Sequence, residues 1–268
     1  MKSFYRWMSD HAFLAFFLPT FVWAAELIWL HFAVQLPLGS VIVALLLMGF
    51  VFALCPQVCK TRLLLLASKE MVERCNPQPL REEIERQLRK NRNEMREQLL
   101  LIDLSAALIN QGDHAAAHEI LKKINIDRFS GILPFQKFVY YNNLADACTN
   151  LEYFDLADAW TQKALQNHEN IKNKKQLKVT HFSVQALKCE ALYRKREYTM
   201  ALQACSVLTF ENLLQRVDTA FFTAKCLLAL DRYEEAREAL GFVIANGNKC
   251  GTVQKAQKLL ERLPTKKG

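Results

Sequence analysis

The sequence predicts an all-α protein: an N-terminal two-helix transmembrane hairpin, then an α-α solenoid of about four helix pairs with a C-terminal capping helix. Three observations predict it. Only 8 Gly and 7 Pro occur in 268 residues, and Ala, Leu, Lys, Glu and Gln dominate, which favours helix over sheet. Residues 12–55 are almost purely apolar, and nearly all the charge follows them. After residue 97 one arrangement of small and large apolar residues recurs, and a recurring helix pair is the mark of a solenoid.

The apolar region, residues 1–59, divides in two. Residues 12–34 hold only Glu26 and His31 as ionisable groups, and as a helix would span about 34 Å, enough for a bilayer core of about 30 Å. Gln35-Leu36-Pro37 breaks the run, and residues 38–55 carry no charge. Lys2 and Arg6 precede the first segment and Lys60, Arg62 and Lys69 follow the second, so the positive-inside rule predicts an integral membrane protein with both termini and the repeats in the cytoplasm. A signal-peptide reading of Met1 to Ala24 competes, ending on Val22-Trp23-Ala24. Glu26 reads either as a proton or substrate site or as a group paired with another helix in the membrane. Cys55 and Cys59 flank Pro56; further metal ligands do not lie nearby, and lipidation is the other reading.

Residues 60–97 read as a helical connector. Leu63 to Val72 is too short to span and suits an interfacial helix or the start of the next domain. Asn76-Pro77-Gln78-Pro79 breaks the chain, and a helix is expected from about Leu80 past Leu100. Its stripe of Leu80, Ile84, Leu88, Met95, Leu99 and Ile102 fits either a short coiled coil, giving a homo-oligomer through residues 80–102, or packing on the first repeat.

Residues 98–264 hold the repeats. The last copy is clearest: Ala220, Ala224, Leu227 and Leu230, then Asp231-Arg232-Tyr233, then Ala236, Leu240 and Val243. Upstream copies read Leu101, Leu104, Ser105, Leu108, Gly112-Asp113-His114, Ala117, Leu121; then Tyr141, Leu144, Ala145, Cys148, Phe154, Ala157, Thr161, Ala164; then Cys189, Leu192, Tyr198, Ala201, Cys205. The third copy places Gln185 and Lys188 at positions normally apolar, and a shift to Val184, Leu187 and Ala191 would restore the face. Ala117, Ala157, Ala201 and Ala236 stand where only a small side chain lets the second helix lie against the first. Val253, Ala256, Leu259 and Leu260 mark the capping helix. These residues resemble the tetratricopeptide repeat family, which pairs antiparallel helices in about 34 residues.

The resemblance implies a peptide- or helix-binding groove lined by the first helix of each pair. By position it marks Asn142, Asp146, Thr149, Glu190, Tyr193, Arg194, Phe221 and Lys225, each of which also reads as ordinary solvated surface. Some members clamp a C-terminal carboxylate with Lys and Asn; here Ile102 and Ala106 stand at those places, and Asp146 and Glu190 would repel an acidic tail. A basic or amphipathic ligand is expected instead. The cluster from Lys172 to Lys178 reads as a solvated loop or as a contact for anionic lipid or RNA.

The net charge of +8 is spread thinly, with no aromatic-plus-basic stripe, which argues against nucleic acid. The eight cysteines are scattered, unlike a secreted disulfide framework, and read as free core thiols. No phosphate-binding glycine loop, zinc-protease motif or nucleophile elbow occurs. His114 and His118 share a metal-compatible spacing of four but read as surface histidines. The expectation is therefore no enzyme, no cofactor and no metal. The expected function is a membrane-anchored interaction scaffold for a protein or peptide partner, held to lipid through residues 12–55; the alternative is an accessory subunit of a membrane transport, secretion or envelope-assembly complex.

Overall fold

The structure is a computed structural model; it describes residues 2–11, 18–34, 37–128 and 131–264, with the side chains of residues 30, 31, 51–53, 55 and 56 among those not described. Every regular element among the described residues is a helix. The chain falls into two compact units, Met1–Ala67 and Ser68–Gly268.

The first unit holds α1 (Lys2–Asp10), α2 (Leu18–Val34) and most of α3 (Leu38–Arg74). It corrects the membrane expectation. No helix among the described residues is long and apolar enough to cross a membrane, which overturns both the transmembrane hairpin and the integral-membrane placement with cytoplasmic termini. The physical reason differs between the two segments. Residues 12–17, where the first span was to begin, lie outside the described residues, and α2 has 17 residues, about 26 Å at helical rise and short of a bilayer core of about 30 Å. The second segment does not stop at Cys55 or Pro56 but runs on in one helix through Lys60, Arg62, Lys69 and Glu70 to Arg74. The side chains of His31 and Cys55 lie outside the described ones. Glu26 is exposed, and so are large apolar groups such as Trp29, Phe32 and Leu46.

The second unit opens where α3 ends. Cys75 takes a left-handed conformation (φ 49°), and the Asn76 N–H donates to the Glu70 carbonyl at 3.4 Å, closing the last turn. Pro77 then caps α4 (Gln78–Arg89). The single helix expected from Leu80 past Leu100 is broken at residues 90–93. Asn93 is the reason: its side chain accepts from the Arg96 N–H at 2.8 Å and starts α5 (Glu94–Gln111). Leu80, Ile84, Leu100 and Ile102 are buried within the chain, as α4 folds back on α5.

Four helix pairs follow. They are α5 with α6 (His114–Lys122), α7 (Pro134–Asn150) with α8 (Phe154–Glu169), α9 (Lys174–Arg194) with α10 (Tyr198–Ser206), and α11 (Leu213–Ala229) with α12 (Tyr233–Asn246). The turn inside each pair repeats atom for atom. Gly112, Glu152, Arg196 and Asp231 each adopt positive φ, between 56° and 85°. The next residue's N–H reaches back to the carbonyl of Leu108, Cys148, Leu192 or Leu227 at 2.9–3.0 Å, the six-to-one bond of a left-handed helix stop. Five residues after each positive-φ residue comes an alanine, Ala117, Ala157, Ala201 or Ala236, none with any exposed surface. The turn geometry sets the crossing point, and the small side chain lets the helices meet there. In α9 the buried residues are Thr180, Val184, Leu187 and Cys189, while Lys188 is exposed.

Successive first helices α5, α7, α9 and α11 pack side by side, and α13 (Gly251–Glu261) packs on α11 and α12. It also packs on α5, so the stack closes on itself. At the seam Gly251 lies against Gly112: a Cβ on Gly251 would sit 2.5 Å from the Gln111 carbonyl oxygen and from the Gly112 N and Cα. The Lys249 N–H and Asn248 Nδ2 donate to the carbonyls of Cys75 (3.1 Å) and Arg74 (2.8 Å). The repeat unit thus closes into a ring around a partly open concave side.

Two stability outcomes are expected, both read by urea or thermal denaturation. Gly251→Ala should destabilise by about 1–3 kcal/mol, because the added methyl meets backbone rather than a movable side chain. Glu152→Gly should stabilise by roughly 0.5–1 kcal/mol, because relief of left-handed strain exceeds the extra freedom glycine gives the unfolded chain.

Candidate functional site

The ring encloses a cavity of about 330 Å³ walled by α5, α7, α9, α11 and α13. Residues three or four apart on a helix share a face, and this spacing delivers the lining: Asn142, Asp146 and Thr149 from α7; Ala186 and Glu190 from α9; Asp218, Phe221, Phe222 and Lys225 from α11; Lys255 from α13. His114 lines it at the start of α6, and Phe182 from α9.

Three carboxylates and two ammonium groups dominate the interior. Asp146, Glu190 and Asp218 are half-buried by surface but lie deep within the ring. Burial pushes Asp146 above the usual carboxylate range, against the pull of Lys255 and Lys225 and a hydrogen bond from Asn150 at 2.7 Å. Burial and the charge of Asp146 push Glu190 up to about 7. Asp218 is driven well above its ordinary value, by burial and then by Asp146. Each carboxylate raises the cost of ionising the next, and the lysines offset this in part.

Lys255 Nζ bridges Asn150 Oδ1 at 2.8 Å and His114 Nε2 at 2.7 Å. His114 is 9% exposed, which corrects its expected place at the surface: closure of the ring by α13 covers it. Burial and the neighbouring Lys255 pull its pKa down to about 4, so at neutral pH the imidazole is uncharged and accepts from the ammonium. His118, half-buried, packs edge-on against Tyr153 with ring centroids 5.8 Å apart. No group of three metal-ligating side chains occurs among the described residues.

Of the eight residues marked by position in the sequence, Asn142, Asp146, Thr149, Glu190, Phe221 and Lys225 border the cavity. Tyr193 and Arg194 do not. The Tyr193 ring packs against Tyr198 and Phe222 and lies beneath Lys225, whose Nζ is 4.7 Å from the ring centre. The Arg194 side chain is only 2% exposed. It donates to Asp158 (2.8 Å), Thr149 (3.1 Å) and Thr161 (3.2 Å), pinning α9 to the pair before it. Sequence reasoning missed Asp218, His114 and Lys255. Asp218 carried a signal, lying three and seven residues before Phe221 and Lys225 on one face of α11. His114 and Lys255 carried none, because their placement depends on ring closure.

The thiols behave as core groups. All seven cysteines whose side chains are described are buried and unbridged, and the Cys250 thiol donates to the Cys75 carbonyl oxygen at 3.4 Å.

No protein-family model, no curated protein and no solved structure matches this chain. The likeness to tetratricopeptide repeats therefore rests on the residues quoted above.

A raised carboxylate pKa means the folded state holds its proton more tightly than the unfolded state. The associated stability is complete below the unfolded value near 4.5 and is lost as pH rises through about 7. Glu190→Gln keeps the shape and removes the titration. Its stability relative to the parent should therefore be greatest near pH 8 and shrink steadily toward pH 4.5, measured by urea denaturation across that range.

Proposed function

We propose that residues 68–268 form a helical-repeat binding module of tetratricopeptide type, and that its cavity receives a basic side chain from an extended segment of a protein partner. One observation carries the reading: three carboxylates, Asp146, Glu190 and Asp218, line a partly open cavity whose lining lysines are Lys225 and Lys255. Arg194 redresses the balance only in part: its guanidinium lies 3.8 Å from Glu190, while its hydrogen bonds go to Asp158, Thr149 and Thr161. An incoming guanidinium or ammonium favours the ionised form of these acids, which burial disfavours. Phe182, Phe221 and Phe222 supply aromatic faces for the stem and for cation–π contact. The polar groups of Asn142, Thr149 and Gln215 suit the peptide backbone.

A cavity of about 330 Å³ admits one or two side chains of an extended segment.

The test is fluorescence anisotropy of the full-length chain with an eight-residue labelled peptide of alternating arginine and serine. Saturable binding that weakens with salt is expected. Replacing Asp146 by Asn, Glu190 by Gln and Asp218 by Asn together should weaken it at least tenfold, roughly 1.4 kcal/mol, with helicity unchanged by circular dichroism. Absence of binding, or binding indifferent to the triple substitution, would sink the proposal.

A further inference from the structure

The seam that closes the ring combines backbone contacts with side-chain bonds from Asn248 and Lys255, and it holds one chemically reactive pair. Cys75 follows α3 and Cys250 caps α13, 175 residues later. The Cys250 thiol donates to the Cys75 carbonyl oxygen at 3.4 Å, which brings the two buried cysteines side by side. The backbone holds the pair in register from both sides. The Lys249 N–H bonds the Cys75 carbonyl, Asn248 bonds the Arg74 carbonyl, and the Cys250 N–H bonds Gly247 at 2.9 Å. Gly112 and Gly251 fix the approach of α13 one residue further on.

We propose that Cys75 and Cys250 are an oxidation site at which a peroxide-class oxidant forms a disulfide that seals the ring covalently. In the first step one thiolate attacks a peroxide oxygen. The O–O bond breaks, an S–O bond forms, and the departing hydroxide takes up a proton to become water. The second thiolate then attacks the sulfenic sulfur, forming S–S, and the departing hydroxyl leaves as a second water. Two thiols lose two hydrogens and one peroxide is reduced to two waters. Either thiolate can begin, since both orders give the same disulfide and the same two waters.

Burial shapes the reaction. Cys75 has no exposed surface and Cys250 only 3%, so the oxidant reaches them when the seam opens. The disulfide then forms only on reclosure, and it traps the closed ring. The second thiol pair is a built-in comparison. Cys189 and Cys205 lie on neighbouring helices α9 and α10 of one helix pair, and a bridge there would leave the seam as it is. The proposal stands whether or not the cavity takes a basic ligand.

The experiment treats the reduced full-length chain with a small excess of hydrogen peroxide. It reads intact mass, a non-reducing peptide map and melting temperature. A loss of 2 Da, a linked peptide pair containing Cys75 and Cys250, and a rise in Tm of roughly 5 °C or more are expected. Dithiothreitol should reverse all three in the same sample, which decides the matter even if a variant fails to fold. Cys75→Ser and Cys250→Ser should each abolish the link, while Cys189→Ser should retain it. A link confined to Cys189 and Cys205, a link between chains, or a Cys75–Cys250 link without a rise in Tm would overturn the proposal.

Discussion

Contact between two glycines, Gly112 and Gly251, decides what kind of object this chain makes. Helix pairs stacked with a constant small rotation normally give an open superhelix whose ends never meet. Here the last helix comes back to the first pair, and only the absence of both Cβ atoms lets its backbone approach Gln111 and Gly112 so closely. Everything notable about the interior follows from that approach. His114 becomes buried, Lys255 reaches across to Asn150, and the concave side becomes a partly open cavity lined by opposed charges.

The chamber sets its own sign against the rest of the molecule. The chain carries a net charge of +8, while the interior gathers Asp146, Glu190 and Asp218 around two lysines. Exposed positive charge is screened within about 8–10 Å at ordinary salt, whereas charges inside a low-dielectric cavity are screened little. A cationic segment therefore gains nothing from long-range steering and gains most only after entry. Recognition of this kind favours discrimination over speed.

The parts legible in the sequence are those governed by neighbours along the chain. The step of five residues from each turn to its alanine could be read at Gly112–Ala117 and Asp231–Ala236 without coordinates, because local sterics dictate it. So could the shared face of Asn142, Asp146 and Thr149. The parts not legible depend on distant contacts or on competition between local signals. Nothing near Lys255 announces that it will meet His114, 141 residues earlier. The break before α5 turned on Asn93 as a helix-starting side chain, a weak local signal set against a convincing apolar stripe. The second apolar segment read as ending at Cys55, yet α3 runs on to Arg74, and hydropathy alone gave no warning that the apolar and charged halves share one helix.

The left-handed residues at the four turns acquire a different meaning once the ends are joined. In an open array each unit answers chiefly to its two neighbours, and the termini can fray without disturbing the middle. A circle has no terminus to fray, so loosening one joint must either be absorbed by all the others or part the molecule at its weakest place. The four hinges inside the pairs are thus linked to one another through the closed packing, and beyond local opening of the seam the expected unfolding of this unit is collective rather than progressive.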